Sequence, residues 1–270
     1  MNTRNLSKKY AIRHNTYSQR VRRTFLAALN RQVGGVKQAA KDGDLAGLQS
    51  AIEGIRPDAI QSAMHASYKA TVLAEGQITL NELQSQIQQK GLFDAGSNRT
   101  DWMDKLKEWI NTYAGDKVKS ITETTKRRLR ELLEETYSDD GTLSNQERAY
   151  LIYKELSDPA YNYQRALVIA RTETTTAANL GHSIAADTVS GRLNMRLQKK
   201  WIATYDNRTR DTHRQMLDYP AIGQDELFVV GSSFMQQPGD TSASAKEVVN
   251  CRCRVIYQVV RGLDGRILPR

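Results

Sequence analysis

The stretch Asn250-Cys251-Arg252-Cys253-Arg254-Val255-Ile256-Tyr257-Gln258-Val259-Val260 closes on a run of β-branched and aromatic residues. That composition and length suit a strand. Lys200-Trp201-Ile202-Ala203-Thr204 reads the same way, and Leu227-Phe228-Val229-Val230 is a third candidate. Ahead of them, Ala166 to Ala178 reads as a helix whose many small residues permit close approach of neighbouring elements. A helix followed by short strands predicts a compact α+β domain over 165–262, with 263–270 as a tail.

Working outward toward the N-terminus, the pattern turns helical. Tyr17, Val21, Phe25 and Leu29 recur at four-residue spacing, predicting an amphipathic helix from Tyr17 to Val33 stopped by Gly34-Gly35. Leu45, Leu48, Ile52 and Ile55 mark a short helix ending before Pro57, and Ile60, Met64, Tyr68 and Val72 mark another ending near Gly76. The glutamine-rich stretch from Gln77 to Gln89 is expected to be a weaker helix or connector, and Gly91 to Asp101 a loop. Asp101 then caps a helix carrying Met103, Leu106, Ile110 and Tyr113. A longer helix follows with Val118, Ile121, Thr125, Leu129, Leu132 and Leu133 on one face. Asp139-Asp140-Gly141 is a turn whose surroundings lack the spacing of a calcium loop. Ser144-Asn145-Gln146-Glu147 is a capping box opening a helix through Tyr150, Leu151 and Leu156. The predicted fold class is thus α+β: a mostly helical N-terminal region, with a helical domain over 42–164, and a small α+β C-terminal domain.

The charge is unevenly placed. Of the net +9, ten basic residues precede the first acidic one, Asp42, so 1–41 carries +10 and the remainder −1. Residues 1–41 read as a basic arm with an amphipathic helix. Arg4, Lys8, Lys9, Arg13, Arg20, Arg22, Arg23 and Arg31 are candidates for contact with a polyanion such as DNA, where each neutralised phosphate releases a counterion. A solvated tail, or a surface docking on an acidic protein, reads the same charges differently. Removal of 1–41 is expected to leave the C-terminal fold intact. No apolar run is long enough to span a bilayer, and none follows Arg4 as a secretory signal requires, so no membrane partner is expected.

Chemistry-bearing residues concentrate between Trp201 and Cys253: Asp206, Arg208, Arg210, Asp211 and His213, then Pro238-Gly239-Asp240, then Asn250-Cys251-Arg252-Cys253. A disulfide across one residue is too strained. Period-two alternation would instead put both sulfurs on one side, where zinc could be held by His213, Cys251 and Cys253 with Asp206 as a fourth ligand. Structural zinc sites usually space their cysteines more widely, so a buried pair beside a hydrogen-bonded histidine is the plainer reading, with no cofactor. Cys–His could also be a nucleophile and base, but no activating context surrounds Cys251.

Five short motifs come in a fixed order: Ala170-Arg171-Thr172-Glu173, Lys200-Trp201-Ile202, Asp206 to His213, Pro238-Gly239-Asp240 and Asn250-Cys251-Arg252-Cys253. Together they resemble the C-terminal domain of the Mu F-like minor head family, the phage head morphogenesis proteins. The chain departs from that pattern at Leu217-Asp218-Tyr219, where the family tends to have glycine, and between Pro220 and Pro238. The resemblance implies a low-copy minor capsid protein of a tailed bacteriophage, made in the host cytoplasm and housed inside the virion head. Its implied partners are the portal protein, a major capsid or scaffolding protein, and double-stranded DNA. The implied role is head assembly and DNA packaging or ejection, without enzymatic activity. Arg171, Glu173, Trp201, Asp206, Arg208, Arg210, His213, Asn250, Cys251 and Cys253 then form a structural polar network. The competing reading is a metal-assisted nuclease or an ADP-ribosyltransferase-like toxin using Arg171, Glu173, His213 and Asp206. Some members carry toxin-like domains, for which no residues are expected after about 262.

Overall fold

Burial on one side of a 3.6-residue period runs through the first thirty residues: Ser7, Tyr10, His14, Ser18, Val21, Phe25, Leu29 and Gln32 are all buried. With no glycine or proline to interrupt it, this segment is one helix, α1 (Thr3–Gln32), so the helix begins well before Tyr17. The computed structural model describes residues 3–87, 95–138 and 142–270. After α1 come α2 (Gly34–Lys41), α3 (Leu45–Glu53) and α4 (Asp58–Ile87). Next are α5 (Ala95–Trp109), a π-turn (Ile110–Ala114) and α6 (Gly115–Tyr137). Helices α7 (Asn145–Ser157) and α8 (Tyr163–Leu193) complete the helical part.

Side-chain caps open two of these helices, and the one at Ser144 is the expected capping box. Asp44 caps α3 by accepting from the Gly47 N–H at 2.8 Å. Ser144 and Glu147 form the reciprocal capping box of α7. Other expectations are corrected. Helix α4 does not end near Gly76. Its second half buries Thr79, Leu80 and Leu83, and that packing overrides the weak helix preference of its polar residues. Gly76 instead marks a close approach to α8. A Cβ on Gly181 would lie 2.6 Å from the Val72 carbonyl oxygen and 3.1 Å from the Gly76 nitrogen. Of the loop expected at Gly91–Asp101, residues 91–94 lie outside the described residues. From Ala95 the chain is helical, so Asp101 sits inside α5 and does not cap it; buried Trp102 and Leu106 anchor that helix. The turn expected at Asp139-Asp140-Gly141 also lies outside the described residues. On α7 the buried face is Ala149, Ile152 and Leu156, whereas Tyr150 and Leu151 are exposed.

The chain divides into two compact units, each assembled from separate segments: 1–20, 67–109 and 168–270 form the first, and 21–66 and 110–167 the second. The second unit is helical, with a core of Val33, Val36, Leu48, Ile52, Leu129, Ile152 and Leu156. Gln32 is buried in it, donating to Thr122 Oγ1 (3.0 Å) and accepting from Thr125 Oγ1 (3.0 Å).

The first unit holds the strands. β1 (Leu197–Ile202) lies at the centre of an antiparallel sheet between β2 (Ile222–Gly223) and β5 (Arg254–Val259), with Trp201 opposite Val255 and Ile202 opposite Arg254. Between β1 and β2 is the single-turn helix α9 (Asp211–Arg214). β3 (Phe228–Val230) and β4 (Ser233–Met235) form a separate hairpin, and α10 (Ala245–Val248) precedes the Cys-Arg-Cys segment. These strands fall where Trp201, Phe228 and Val255 were expected to lie in strands. The architecture is a helical N-terminal region with a small α+β C-terminal part.

The N-terminal segment is part of this unit. The Ser7 hydroxyl donates to the Ala203 carbonyl (3.0 Å), and His14 Nε2 lies 2.9 Å from Thr175 Oγ1. Arg13 is paired with the fully buried carboxylate of Glu75, with Nη2 to Oε2 at 2.9 Å. Tyr10 and His14 are buried in this unit and Arg13 pairs with its Glu75, which speaks against removing 1–41 without harm to the C-terminal fold.

Candidate functional site

The alternation expected of Cys251-Arg252-Cys253 is present just before β5 begins. The two cysteines point inward and Arg252 points the other way. Outward, Arg252 forms a bidentate pair with Asp206, Nη1 to Oδ2 at 2.6 Å and Nη2 to Oδ1 at 2.7 Å. Asp206 also accepts the Arg208 backbone N–H at 3.0 Å, which folds the turn after β1. The hydrogen bonds from the Arg252 guanidinium, against the opposing effect of burial, hold the Asp206 carboxyl well below the usual carboxylate range. The Arg252 carbonyl accepts from Thr204 Oγ1 (2.6 Å), and the Arg210 guanidinium donates to the Val249 carbonyl. Asp206 is thus committed to Arg252, and the acidic neighbour of His213 is Glu247 instead.

Inward, His213 Nδ1 faces both sulfurs, 3.4 Å from Cys253 Sγ and 3.5 Å from Cys251 Sγ. Its other nitrogen, Nε2, is 3.1 Å from Glu247 Oε2, within ion-pair distance though not aligned as a hydrogen bond. The Thr212 hydroxyl donates to the same Glu247 oxygen at 2.8 Å. Trp201 sets its ring edge-on to His213 at 5.4 Å between centroids and edge-on to Phe228 at 5.4 Å, sealing this side. His213, Cys251 and Cys253 are each at most 2% exposed. Burial pushes the Cys251 thiol well above its ordinary value. Burial would raise Cys253 too, but hydrogen bonds from Cys251 and His213 outweigh it and hold that thiol well below.

One face of α8 holds the backbone around this pocket. Thr172, Thr175, Thr176 and Asn179, spaced at three, four and seven residues, line up along the helix. Thr172 Oγ1 accepts from the Asn250 N–H (3.0 Å), and the Thr175 hydroxyl donates to the Cys251 carbonyl. Thr176 Oγ1 donates to the Gly239 carbonyl (3.0 Å). Asn179 donates to the Cys253 carbonyl (3.1 Å) and accepts from the Val255 N–H (2.8 Å). Two of the motif residues are explained by this docking. Gly239 has φ +78° and lies so near Thr176 that a Cβ would meet its backbone at 3.0 Å. Asn250 has φ +58°, a conformation asparagine tolerates better than most residues. Asp240 closes the loop by accepting the Gln236 N–H at 2.6 Å.

The remaining expected residues scatter. Glu173 is buried on another face of α8 and accepts from the Tyr68 hydroxyl at 2.7 Å, and Arg171 is partly buried. Of the basic residues on α1, Arg13 is spent on Glu75, Arg4 lies over the Tyr205 ring and Arg22 over the Tyr163 ring. Lys8, Lys9, Arg20, Arg23 and Arg31 are exposed. Sequence reasoning missed Glu247, Arg252 as the partner of Asp206, and the α8 stripe. The stripe is legible as Thr-Thr-Asn at helical spacing, a pattern that small residues around it also make read as a packing face. Among the described residues, no helix is long and apolar enough to cross a membrane.

Two relatives share sequence with part of this chain. The NAD(+)–arginine ADP-ribosyltransferase EFV of Enterococcus faecalis is 36% identical over 111 residues, covering 39% of this chain and 21% of that protein. Minor head protein GP7 of Bacillus phage SPP1 is 36% identical over 104 residues, covering 38% of this chain and 31% of that protein. The match thus spans less than a third of either relative, and no solved structure matches. The family described as Phage Mu protein F like protein matches residues 48–256, a span that contains all five motifs and the whole Asp206–Cys253 network, and the chain belongs to that family.

Proposed function

We propose that this protein is a minor head protein of a tailed bacteriophage, held inside the head against the portal and acting in assembly and in DNA packaging or ejection. The observation that carries the reading is family membership over 48–256, together with the likeness to the SPP1 minor head protein. The chemistry of the C-terminal unit supports it. Many of its polar side chains tie separate segments of the chain together: Asp206 on Arg252, the α8 stripe on 250–255, Glu173 on Tyr68. Its partners are the portal, a major capsid or scaffolding protein, and the packaged DNA. Quantitative mass spectrometry of purified heads and tails tests this. Recovery in heads at far fewer copies than the major capsid protein is expected, and recovery only in the particle-free lysate would refute it.

The likeness to the enterococcal transferase favours a second reading, transfer of ADP-ribose from NAD+ to arginine. Of the two carboxylates of that reading, Glu173 is 1% exposed and bonded to Tyr68, and Asp206 is held by Arg252. The head-protein reading expects no consumption of NAD+ by the purified chain with an arginine acceptor. Turnover lost in Glu173→Gln, with folding retained, would establish the enzyme instead.

A further inference from the structure

His213 presents one nitrogen, Nδ1, to two sulfurs at once, at 3.4 and 3.5 Å. A single ring nitrogen can make one good hydrogen bond, not two. A cation placed among the three atoms satisfies all of them. Zinc bonds of about 2.0–2.1 Å to nitrogen and about 2.3 Å to sulfur, at the tetrahedral angle, put N and S about 3.6 Å apart. That is close to both observed separations. The three donor atoms lie within 4.8 Å of one another and all three residues are buried.

We propose that His213 Nδ1, Cys251 Sγ and Cys253 Sγ bind one zinc ion, with a water in the fourth position. Two sulfurs and an imidazole suit zinc over the hard cations magnesium and calcium, which take oxygen. The charges of the ion and its ligands balance: two thiolates, a neutral ring and Zn2+ sum to zero. Glu247 stands where a ligating histidine needs support. At 3.1 Å from Nε2, and held by Thr212, it favours the tautomer with the proton on Nε2 and leaves the Nδ1 lone pair to the metal. Asp206 is not a ligand, because Arg252 occupies both its oxygens. The ion would pin α9 to the segment entering β5, adding a bond between parts of the chain about 40 residues apart.

The test uses the full chain, purified without chelator and then dialysed against zinc. Elemental analysis is expected to find about one zinc per chain, lost in Cys251→Ser and in Cys253→Ser but kept in His65→Ala, an exposed histidine elsewhere. Glu247→Gln should keep the stoichiometry and weaken affinity by about 10- to 100-fold. Should the cysteine variants not fold, cobalt(II) titration of the wild-type chain decides. Thiolate-to-cobalt charge transfer and the strong visible bands of a four-coordinate ion support the site. A wild-type chain that takes up no zinc, a cobalt spectrum without thiolate bands, or zinc retained after both cysteines are replaced would overturn it.

Discussion

Asp206 shows how much one side chain can carry. Its two oxygens hold the Arg252 guanidinium, which is only 16% exposed, and one of them also takes the Arg208 N–H. In Asp206→Ala that guanidinium keeps its burial and loses its partner. The expected cost is about 1–3 kcal/mol, read as a lower Tm and a lower denaturant midpoint. Arg252→Ala combined with Asp206→Ala should cost less than the two single losses added together. If the effects simply add, the pair is not the unit inferred here. A second prediction concerns acid. Burial lowers His14 to about 4, with the nearby Arg252 and Arg171 charges adding to the effect and a backbone hydrogen bond opposing it. The folded state holds this ring neutral, whereas the unfolded chain protonates it below about pH 6.5. Its contribution is therefore fully present above about 6.5 and is lost as pH falls toward 4. His182, lowered well below its ordinary value by burial and by Arg254 and Arg13, acts in the same direction. Denaturation followed from pH 7 to 4 should show stability falling with acid, with a shallower slope in His14→Gln. An unchanged slope in the variant would assign the acid loss to other groups.

At the scale of the element, α1 joins two properties on opposite faces. At 3.6 residues per turn, Lys9, Arg20, Arg23 and Arg31 fall within an arc of about 80°, whose centre faces away from the buried His14, Phe25 and Leu29. All four are exposed. The charge seen in sequence as an arm is thus a ridge on an ordered helix; Arg4 and Arg22 lie outside its arc, and Arg13, at the same angle as Arg31, is paired with Glu75 instead. Replacing the four ridge residues by glutamine should leave the helix and its buried face intact. DNA affinity should fall, and the slope of log affinity against log salt should shrink by about three to four. If the substituted protein keeps the wild-type slope, α1 does not contact phosphate. Gln is chosen because its helix preference is close to that of Lys and Arg, so a change in binding is not a change in folding.

For the whole molecule, each unit is completed by segments distant in sequence. The first draws on 1–20, 67–109 and 168–270. Within it Arg254 pairs with Glu82 at 2.6 Å, the Arg13 and Arg254 guanidinium groups each lie 5.7 Å from the Tyr10 ring centroid, and His14 meets Thr175. A chain lacking residues 1–41 would leave Glu75 as a buried carboxylate without its arginine, and would open the cavity filled by Tyr10. Loss of one partner from a buried pair costs about 3–5 kcal/mol, a large part of the stability of a domain. The truncated chain is expected to be insoluble or protease-sensitive throughout 168–270. Limited proteolysis giving a stable C-terminal fragment of that length would contradict this.

What could be read from sequence was what neighbouring residues decide among themselves. The capping box at Ser144, the cap at Asp44, the strand composition of Val255 to Val259 and the alternation of Cys251-Arg252-Cys253 each need only a few consecutive residues. Helical period gave the buried face of α1 from Val21 onward for the same reason. Which distant groups meet is a different matter. Asp206 is matched with Arg252 across 46 residues, Glu75 with Arg13 across 62, and Asn179 with the Val255 N–H across 76. No local preference distinguishes these side chains from others of their kind. A basic residue on a helix face reads as solvated until a buried carboxylate is found opposite it. Glutamines read as a weak helix or connector until Leu80 and Leu83 are seen packed. Spacing and caps are properties of the chain. Charge neutralisation, the orientation of His213 toward two sulfurs, and the division into interleaved units arise only when separate segments come together, and the tertiary structure alone decided them.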